Sequence, residues 1–432
     1  MKTTYLLLCL LGIGSVSGAG QTKQPQKIGD FIESTSYNEH RRNATRSLQY
    51  TPDGDDFVCI NGKNRFTRAL YGSHTAFRLE TSDRPVFAAY TKKNPKHICF
   101  KLQTSGGTVA LDSTEHCESR YTAGRRSYNL FHPSFEGGNL SIATLALPDK
   151  EGAIWQFNAR NFKGSNPILL ASISEIRNSK LNRNGDMGAD PADSFEAPLQ
   201  PQQLQSCPAQ IDGTLYILLE NQELRTLTTA EGETLFKKAE AARSETASRI
   251  RIETPDPYFN TLGGTLAMAA DGIWDGEVWL HGAIGWRMPL SGGRAAYTGD
   301  VLGWHDRART HFNAYAASQV TEVPNTLPHP AQDSALHLAR SVKKWGTPQY
   351  SNGYICRNPH RNNQMHHYDM NLCYIDELLW HFKWTGDLDY VRQMWPVITR
   401  HLAWEKLNYD PDNDGLYDAY ACIWASDALY YN

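Results

Sequence analysis

The sequence changes its pattern near residue 225, and this change restricts the fold more than any other feature. Before it, short runs rich in β-branched and aromatic residues, such as residues 57–60, 97–102 and 214–219, alternate with Gly, Pro and Asn. Such runs are typical of antiparallel β-sandwiches. After it, residues 231–248 are rich in Ala, Glu, Lys and Arg, a composition that favours a helix. We therefore predict a multi-domain β + α chain whose N-terminal part is an antiparallel β-sandwich.

The first twenty residues have the pattern of a secretory signal peptide. Lys2 precedes an apolar run at residues 5–13, and the small residues 15–20 suit signal-peptidase cleavage. The apolar run is too short to span a bilayer, and no later stretch reaches that length. We therefore predict a signal peptide at residues 1–20, export to the periplasm or the cell exterior, and no membrane span.

The composition indicates what kind of partner the chain binds. It has 43 Lys and Arg against 46 Asp and Glu, and no basic block, so nothing favours nucleic acid. The 11 Trp and 21 Tyr suit an oligo- or polysaccharide, because their rings stack on sugar faces; a large core explains them equally well. Nucleophile-elbow, phosphate-loop and dinucleotide motifs are absent, which argues against esterases, kinases and dehydrogenases.

Helical patterns dominate the second part of the chain. They are expected at residues 258–270, 304–318, 334–345, 368–385 and 388–407, and again from residue 423. A two-residue link joins the fourth and fifth helices, whereas the other links are long and rich in Gly, aromatic residues, His, Arg and Asp. Alternating short and long links predict helical hairpins arranged in a ring, with the long loops crowding one face.

The fourth helical pattern also predicts burial. Leu372, Ile375, Leu379 and Phe382 form an apolar stripe at helical spacing. An inner helix of a ring and an ordinary helix of a bundle both explain this stripe.

These patterns predict the domain organisation. Residues 21–225 form the β-sandwich, residues 226–254 a linker helix, and residues 255–432 the first part of an (α/α)6-toroid domain. A closed toroid of six hairpins has twelve helices, and the patterns account for five or six. We therefore expect the toroid to be truncated in this sequence.

One long loop carries the residues best suited to catalysis. His366, His367, Tyr368 and Asp369 stand at the start of a predicted helix, shortly after Arg357 and His360. Proton transfer near neutral pH needs His, a tuned carboxylate or Tyr, and a substrate carboxylate is best held by Arg. The first four are our catalytic candidates, and the last two are substrate-binding candidates. A capping Asp369 beside loop histidines bonded to backbone carbonyls is the alternative.

An earlier loop carries further candidates for substrate binding. Arg287, Asp300 and His305 are suited to polar contacts, and Trp286 and Trp304 to stacking on sugar rings. Turn and capping roles around the neighbouring glycines explain the same residues.

A third loop, residues 410–415, matches the start of the calcium-loop pattern D-x-D-x-D-G. The glutamate expected at the twelfth position is replaced by Ala421, so an EF-hand is not expected. We predict no metal and no cofactor, with calcium the only ion that the loop suggests. Asp418, which follows this loop, is a further catalytic candidate because it can face the cleft.

The helical part resembles the six-hairpin glycosidase superfamily. The resemblance rests on residues 378–387 with their T-G-D link, on Trp395-Pro396, and on the D-x-D-G-L run at residues 412–416. In that superfamily such a link joins an inner and an outer helix, and such a loop leads to the next inner helix. The resemblance implies an α/α toroid and a carbohydrate-active enzyme, and it leaves the reaction open.

The exported sandwich-plus-toroid layout and the cluster at residues 285–307 resemble a family of polysaccharide lyases that removes terminal L-rhamnose from glucuronic acid. This resemblance implies β-elimination, with Arg287 or Arg357 holding the uronate carboxylate, His366 or His367 as base and Tyr368 as acid.

Two alternatives to the lyase stay open. The first is an inverting glycoside hydrolase that uses paired carboxylates, with Asp369 and either Asp418 or Asp427 as candidates and Asp300 as a further option. The second is a glycan-binding protein without catalytic activity.

Overall fold

The computed structural model describes residues 50–72, 74–90, 95–148, 150–164, 166–178, 192–282, 288–321, 326–328, 348–350, 352–360, 369–410 and 412–417. The strands in chain order are β1 Thr51–Asp53, β2 Asp56–Ile60, β3 Arg68–Tyr71, β4 Arg78–Thr81, β5 Val86–Tyr90, β6 Lys96–Thr104, β7 Gly107–Ala110, β8 His116–Thr122, β9 Arg125–Phe131, β10 Asn139–Ala146, β11 Gly152–Arg160, β12 Ile168–Glu175, β13 Gln203–Gln210, β14 Thr214–Glu220, β15 Glu223–Leu227, β16 Thr326–Pro328 and β17 Pro348–Tyr350.

The N-terminal part consists of two antiparallel sheets. The eight-stranded sheet has the order β1-β2-β8-β9-β10-β11-β14-β15, and the seven-stranded sheet has the order β13-β12-β6-β5-β4-β3, with β7 paired to β6. Burial alternates along β8 and β9, as expected for strands with one face toward a core. The two short strands β16 and β17 pair with each other.

Aromatic side chains from both sheets form one shared core. Phe87 and Phe100 of the smaller sheet meet Trp155 of the larger sheet with ring centroids 5.5 and 5.6 Å apart, in edge-to-face contacts. Such contacts add to the stabilisation that comes from burying large rings. The two sheets therefore pack face to face, as the alternating sequence runs predicted.

Helices follow the sheets, and this order is confirmed. They are α1 Thr229–Ala247, α2 Pro257–Asn260, α3 Gly263–Gly272, α4 Tyr297–Val301, α5 His305–Ala317, α6 Asp369–Thr385 and α7 Leu388–Tyr409. Thr228 and Glu231 form a capping box that starts α1, where Gly232 lies too close to the Tyr216 ring for any Cβ to fit. The predicted helices at residues 334–345 and from residue 423 lie outside the described residues, and the truncated (α/α)6 toroid stays a prediction.

The link between α6 and α7 shows why the T-G-D run ends one helix and starts another. Gly386 adopts a left-handed conformation with φ of 61°, which ends α6. The Asp387 side chain then accepts hydrogen bonds from the backbone N–H groups of Asp389 and Tyr390, and so caps α7.

The apolar stripe predicted for α6 is only partly correct. Ile375 is buried, but Leu372 and Leu379 are 39 and 40 % exposed. Besides Ile375, the described buried residues of this helix are six, three of which carry an amide, a carboxyl or an imidazole: Met370, Asn371, Tyr374, Glu377, Leu378 and His381. Among the described residues, no helix is long and apolar enough to cross a membrane.

Candidate functional site

A buried carboxyl group lies at the centre of the candidate site. Glu377, on the inner face of α6, is 2 % exposed, and neither of its carboxyl oxygens has a hydrogen-bond partner of normal geometry in the described part of the chain. Burial raises the pKa of this carboxyl well above its usual range, and the charge of Asp376 raises it further. The backbone N–H and the guanidinium of Arg294 act in the opposite direction. Glu377 is therefore set up to stay protonated where other carboxyls ionise.

The hydroxyl of Tyr315 on α5 belongs to the same environment. Tyr315 is fully buried, and its hydroxyl has no hydrogen-bond partner among the described residues. Burial raises its pKa most, electrostatic interactions with Asp275, Glu377 and Glu277 raise it further, and the charge of Arg357 opposes this change. We call Glu377, Tyr315, Arg357, Asp275, Glu277 and Arg294 the Glu377 cluster.

The cluster extends from the buried interior to the surface. Arg357 is half-buried, and burial lowers the pKa of its guanidinium, while the Tyr315 and Tyr354 hydroxyls oppose that change. Its Nη2 contacts the Met288 sulfur at 3.5 Å. Nearer the solvent, His360 Nε2 lies 2.7 Å from a carboxylate oxygen of Glu277. Of the sequence-predicted residues, Arg357 thus interacts with Tyr315 of the Glu377 cluster, and His360 contacts Glu277 of the same cluster.

A neutral histidine lies next to the cluster. His311 Nδ1 accepts a hydrogen bond of 3.1 Å from the Trp279 backbone N–H, so the ring proton is on Nε2. Burial lowers the pKa of His311 to about 3, against a smaller opposing effect from the backbone at Ser291. Its ring centroid lies 4.9 Å from that of Tyr315. His311 is therefore an uncharged group that helps to hold Tyr315 in place.

A tight glycine turn brings Arg294 toward α6. A Cβ on Gly292 would lie 1.9 Å from the Met370 carbonyl oxygen, so only glycine permits this approach. Arg294 itself has a φ of 60°, an unfavourable conformation for a residue with a Cβ. Such strain is often found at functional sites, where the surrounding structure holds it in place. Here the strained residue is Arg294, whose backbone N–H group acts to lower the pKa of Glu377.

A second buried network lies further along the same helices. The Asp300 carboxylate is 2.8 Å from His305 Nδ1 and 2.8 Å from His381 Nδ1. His381 is fully buried, whereas the His305 side chain is about half exposed. The two sequence-predicted residues Asp300 and His305 are thus joined through a third residue that the sequence did not single out.

The other sequence-predicted residues have different positions. Trp304 is 6 % exposed, and the guanidinium groups of Arg249 and Arg307 lie 5.1 and 4.3 Å from its ring centroid. This placement leaves it no broad open face, contrary to the stacking role that we expected. Asp369 is the first residue of α6. Six candidates lie outside the described residues: Trp286, Arg287, His366, His367, Tyr368 and Asp418.

Sequence reasoning missed Glu377, Tyr315, His311 and Asp275. One signal for Glu377 was present, because it follows Tyr374 by three residues and so lies on the same helix face as that apolar side chain. A carboxyl on a helix face that is otherwise buried is costly to keep ionised, and it therefore marks a position to inspect for a functional role.

The acidic loop after α7 brings three carboxylates together. One ligand atom from each of Asp410, Asp412 and Asp414 lies within 4.8 Å of the others. Asp410 is buried, while the other two are exposed, and the Asp410 and Asp414 side chains also accept backbone hydrogen bonds within the loop. The loop turn alone explains this arrangement.

Comparisons with known proteins give two similarities. Residues 95–250 match the sequence profile of a family described as a domain of unknown function (DUF4450). A solved structure of a bacterial glucoamylase complexed with acarbose aligns at 10 % identity with a TM-score of 0.33. The alignment covers 60 % of this chain and 53 % of that one, so the chain spans about half the length of that structure. No curated protein matches the sequence.

Proposed function

We propose that this chain acts in the enzymatic cleavage of glycosidic bonds in a polysaccharide, with Glu377 as the proton donor. The observation that carries the proposal is the buried Glu377 carboxyl, whose pKa is raised well above its usual range. Breaking a glycosidic bond requires a proton on the leaving oxygen, and a carboxyl kept protonated by burial supplies it at neutral pH. The resemblance of the T-G-D and D-x-D-G-L runs to six-hairpin glycosidases agrees with this role.

Hydrolysis is the reaction that the Glu377 cluster supports best. Besides the protonated carboxyl, an inverting hydrolase needs an ionised carboxylate that activates water. Asp275 and Glu277 are both half-buried, and they act electrostatically on the Tyr315 hydroxyl, as Glu377 does. In the proposed mechanism, one of them takes a proton from water as the water attacks the anomeric carbon. Glu377 gives its proton to the departing oxygen at the same time.

Elimination at a uronic acid is the second candidate, and Arg357 favours it. A guanidinium that is half-buried beside a tyrosine can hold a substrate carboxylate while the C5 proton is removed. The substrate implied by the lyase resemblance is an L-rhamnose-capped glucuronate in a plant-type glycan. His366, His367, Tyr368, Asp369 and Asp418 stay candidates for the base and acid in this reaction.

One experiment separates the two reactions. Arabinogalactan with rhamnose-glucuronate ends is incubated with the protein, and both the released sugars and the ultraviolet absorbance of an unsaturated uronate are followed. Hydrolysis gives sugar release without the absorbance, and elimination gives both. If neither sugar nor absorbance appears with this or other plant polysaccharides, the proposed function is wrong.

We further propose that the protein works outside the cytoplasm, as the N-terminal signal pattern predicts. Cell fractionation with an antibody against the chain tests this, and a purely cytoplasmic signal contradicts it.

A further inference from the structure

A cavity lies in the β part of the molecule, at one end of the larger sheet. Its volume is about 400 Å³, within the range of roughly 300–1,000 Å³ typical of small-molecule sites. We call it the Phe131 pocket and define it by its lining residues, which are Asn61, Glu115, His116, Phe131, His132, Pro133, Gly137 and Gly138.

An exposed aromatic ring interrupts an otherwise polar surface there. The outward positions of β9 are Arg125, Ser127 and Asn129, followed at the strand end by Phe131, which is 46 % exposed. Phe131 pairs in register with His116 of β8, and the two ring centroids are 5.7 Å apart. This cross-strand contact holds the Phe131 ring in a defined position with part of its surface open.

Two polar groups at the rim have fixed orientations. His132 Nδ1 accepts a hydrogen bond of 3.2 Å from the Ser134 N–H, so its Nε2 carries the proton. The Asn61 side-chain oxygen accepts a bond of 2.8 Å from the Cys117 N–H, which leaves the amide NH2 group as the donor. Glu115 adds an exposed carboxylate that accepts hydrogen bonds.

An apolar ring with donors and an acceptor around it is complementary to a sugar. Pyranose rings have an apolar C–H face that stacks on aromatic rings, and hydroxyls at the edge that both donate and accept hydrogen bonds. The lining residues include one carboxylate and no Lys or Arg, while the Arg84 guanidinium behind the rim donates to the Asn61 side-chain oxygen at 3.4 Å. The negative charge of Glu115 and the positive charge of Arg84 balance, so the pocket suits a neutral sugar better than an anionic one.

We propose that the Phe131 pocket is an accessory binding site for neutral sugar units of a polysaccharide. It shares no residue with the Glu377 cluster, so it would hold the polymer rather than cleave it. The inference relies on the proposed function only for the choice of a polysaccharide as the ligand.

Affinity electrophoresis in native gels tests the proposal. The gels contain galactan or xyloglucan as neutral polysaccharides, and polygalacturonate serves as the acidic comparison. The variant Phe131→Ala removes the ring, and Leu204→Ala is the matched control, since Leu204 is similarly exposed but lies on β13 outside the pocket. All proteins carry Glu377→Gln, so that cleavage does not alter the gel.

We expect at least one neutral polysaccharide to retard the parent and the Leu204→Ala protein equally. Phe131→Ala should weaken that retardation about tenfold, which corresponds to about 1.4 kcal/mol for a lost stacking contact. Retardation by polygalacturonate should be unaffected by Phe131→Ala. The proposal is overturned if no neutral polymer retards the parent, or if Phe131→Ala behaves like the control. Because binding is scored without turnover, failure of the proposed cleavage activity leaves this result interpretable.

Discussion

Replacing Glu377 with Gln should change how the stability of the protein depends on pH. The carboxyl has a folded-state pKa well above the ordinary value of 4.5, because burial disfavours its charged form. The ordinary value also applies to the unfolded state. At pH values between the unfolded-state pKa and the folded-state pKa, the folded state therefore holds a proton that the unfolded state has released. The free energy of unfolding of the wild type therefore falls as the pH rises through this window. Gln cannot ionise, so the variant lacks this loss.

The magnitude follows from proton linkage. Relative to Glu377→Gln, the wild type should lose up to about 1.4 kcal/mol of unfolding free energy per pH unit above pH 4.5. The loss levels off at the folded-state pKa, so the pH of the plateau measures that pKa directly. Any constant difference between the two side chains, such as a changed hydrogen bond, shifts the curves without changing their slopes.

Urea-induced unfolding at several pH values from 5 to 8, followed by tryptophan fluorescence, measures this difference. Glu80→Gln is the matched control for a buried carboxyl outside the site, since burial raises the pKa of Glu80 to about 7 against an opposing effect of Arg78. Its difference from the wild type should level off near pH 7, at about 3 kcal/mol. Parallel wild-type and Glu377→Gln stabilities across this range would refute the reasoning about the buried carboxyl.

Two further predictions concern other parts of the fold. Gly292→Ala places a Cβ against a backbone carbonyl of α6 and should lower the free energy of unfolding by about 1–3 kcal/mol, measured by thermal or urea unfolding. The control Gly293→Ala makes only ordinary van der Waals contacts and should leave the stability nearly unchanged. Equal effects of the two substitutions would contradict the close approach. Burial raises the pKa of the Cys117 thiol to about 12. Hydrogen bonds from His97 and a serine lower the pKa of Cys99 in spite of its burial. Iodoacetamide mapping by mass spectrometry at pH 7 should find Cys99 alkylated at least about tenfold faster than Cys117, and His97→Ala should slow the alkylation of Cys99 while leaving Cys117 unchanged.

The sequence predicts the order of the architecture well, because the period of the apolar residues is a local property. Alternating runs gave sheets where residues 57–60, 97–102 and 214–219 form strands. The composition of residues 231–248 gave the helix α1, and the T-G-D run gave the break between α6 and α7. In each case, the residues that decide the outcome are neighbours in the chain.

The buried face of α6 was not predictable in the same way. Asn371 is buried because its side chain exchanges two hydrogen bonds with the backbone of Ile355, at 2.7 and 3.0 Å. His381 is buried because its ring Nδ1 lies 2.8 Å from a carboxylate oxygen of Asp300. Both partners come from segments far away in the sequence, so a polarity scale places these two residues at the surface. The stripe that we predicted through Leu372 and Leu379 was wrong for this reason.

The candidate site was predicted only at its outer edge. Arg357 and His360 stood out because Arg and His in a long loop before a helix suggest substrate binding. Glu377 and Tyr315 did not, because their importance depends on burial without partners, a property of the folded structure.

The most direct test of the central claim is the pH dependence of polysaccharide cleavage by the wild type and by Glu377→Gln, with Glu80→Gln as the control. If Glu377 donates the proton, the wild-type kcat/KM falls as the pH rises through the pKa that the stability measurements give for the free protein. Glu377→Gln should lose at least about a hundredfold in kcat, as expected when a general acid is removed, while Glu80→Gln keeps wild-type turnover below pH 7. Wild-type turnover by Glu377→Gln would contradict the assignment of this carboxyl as the proton donor.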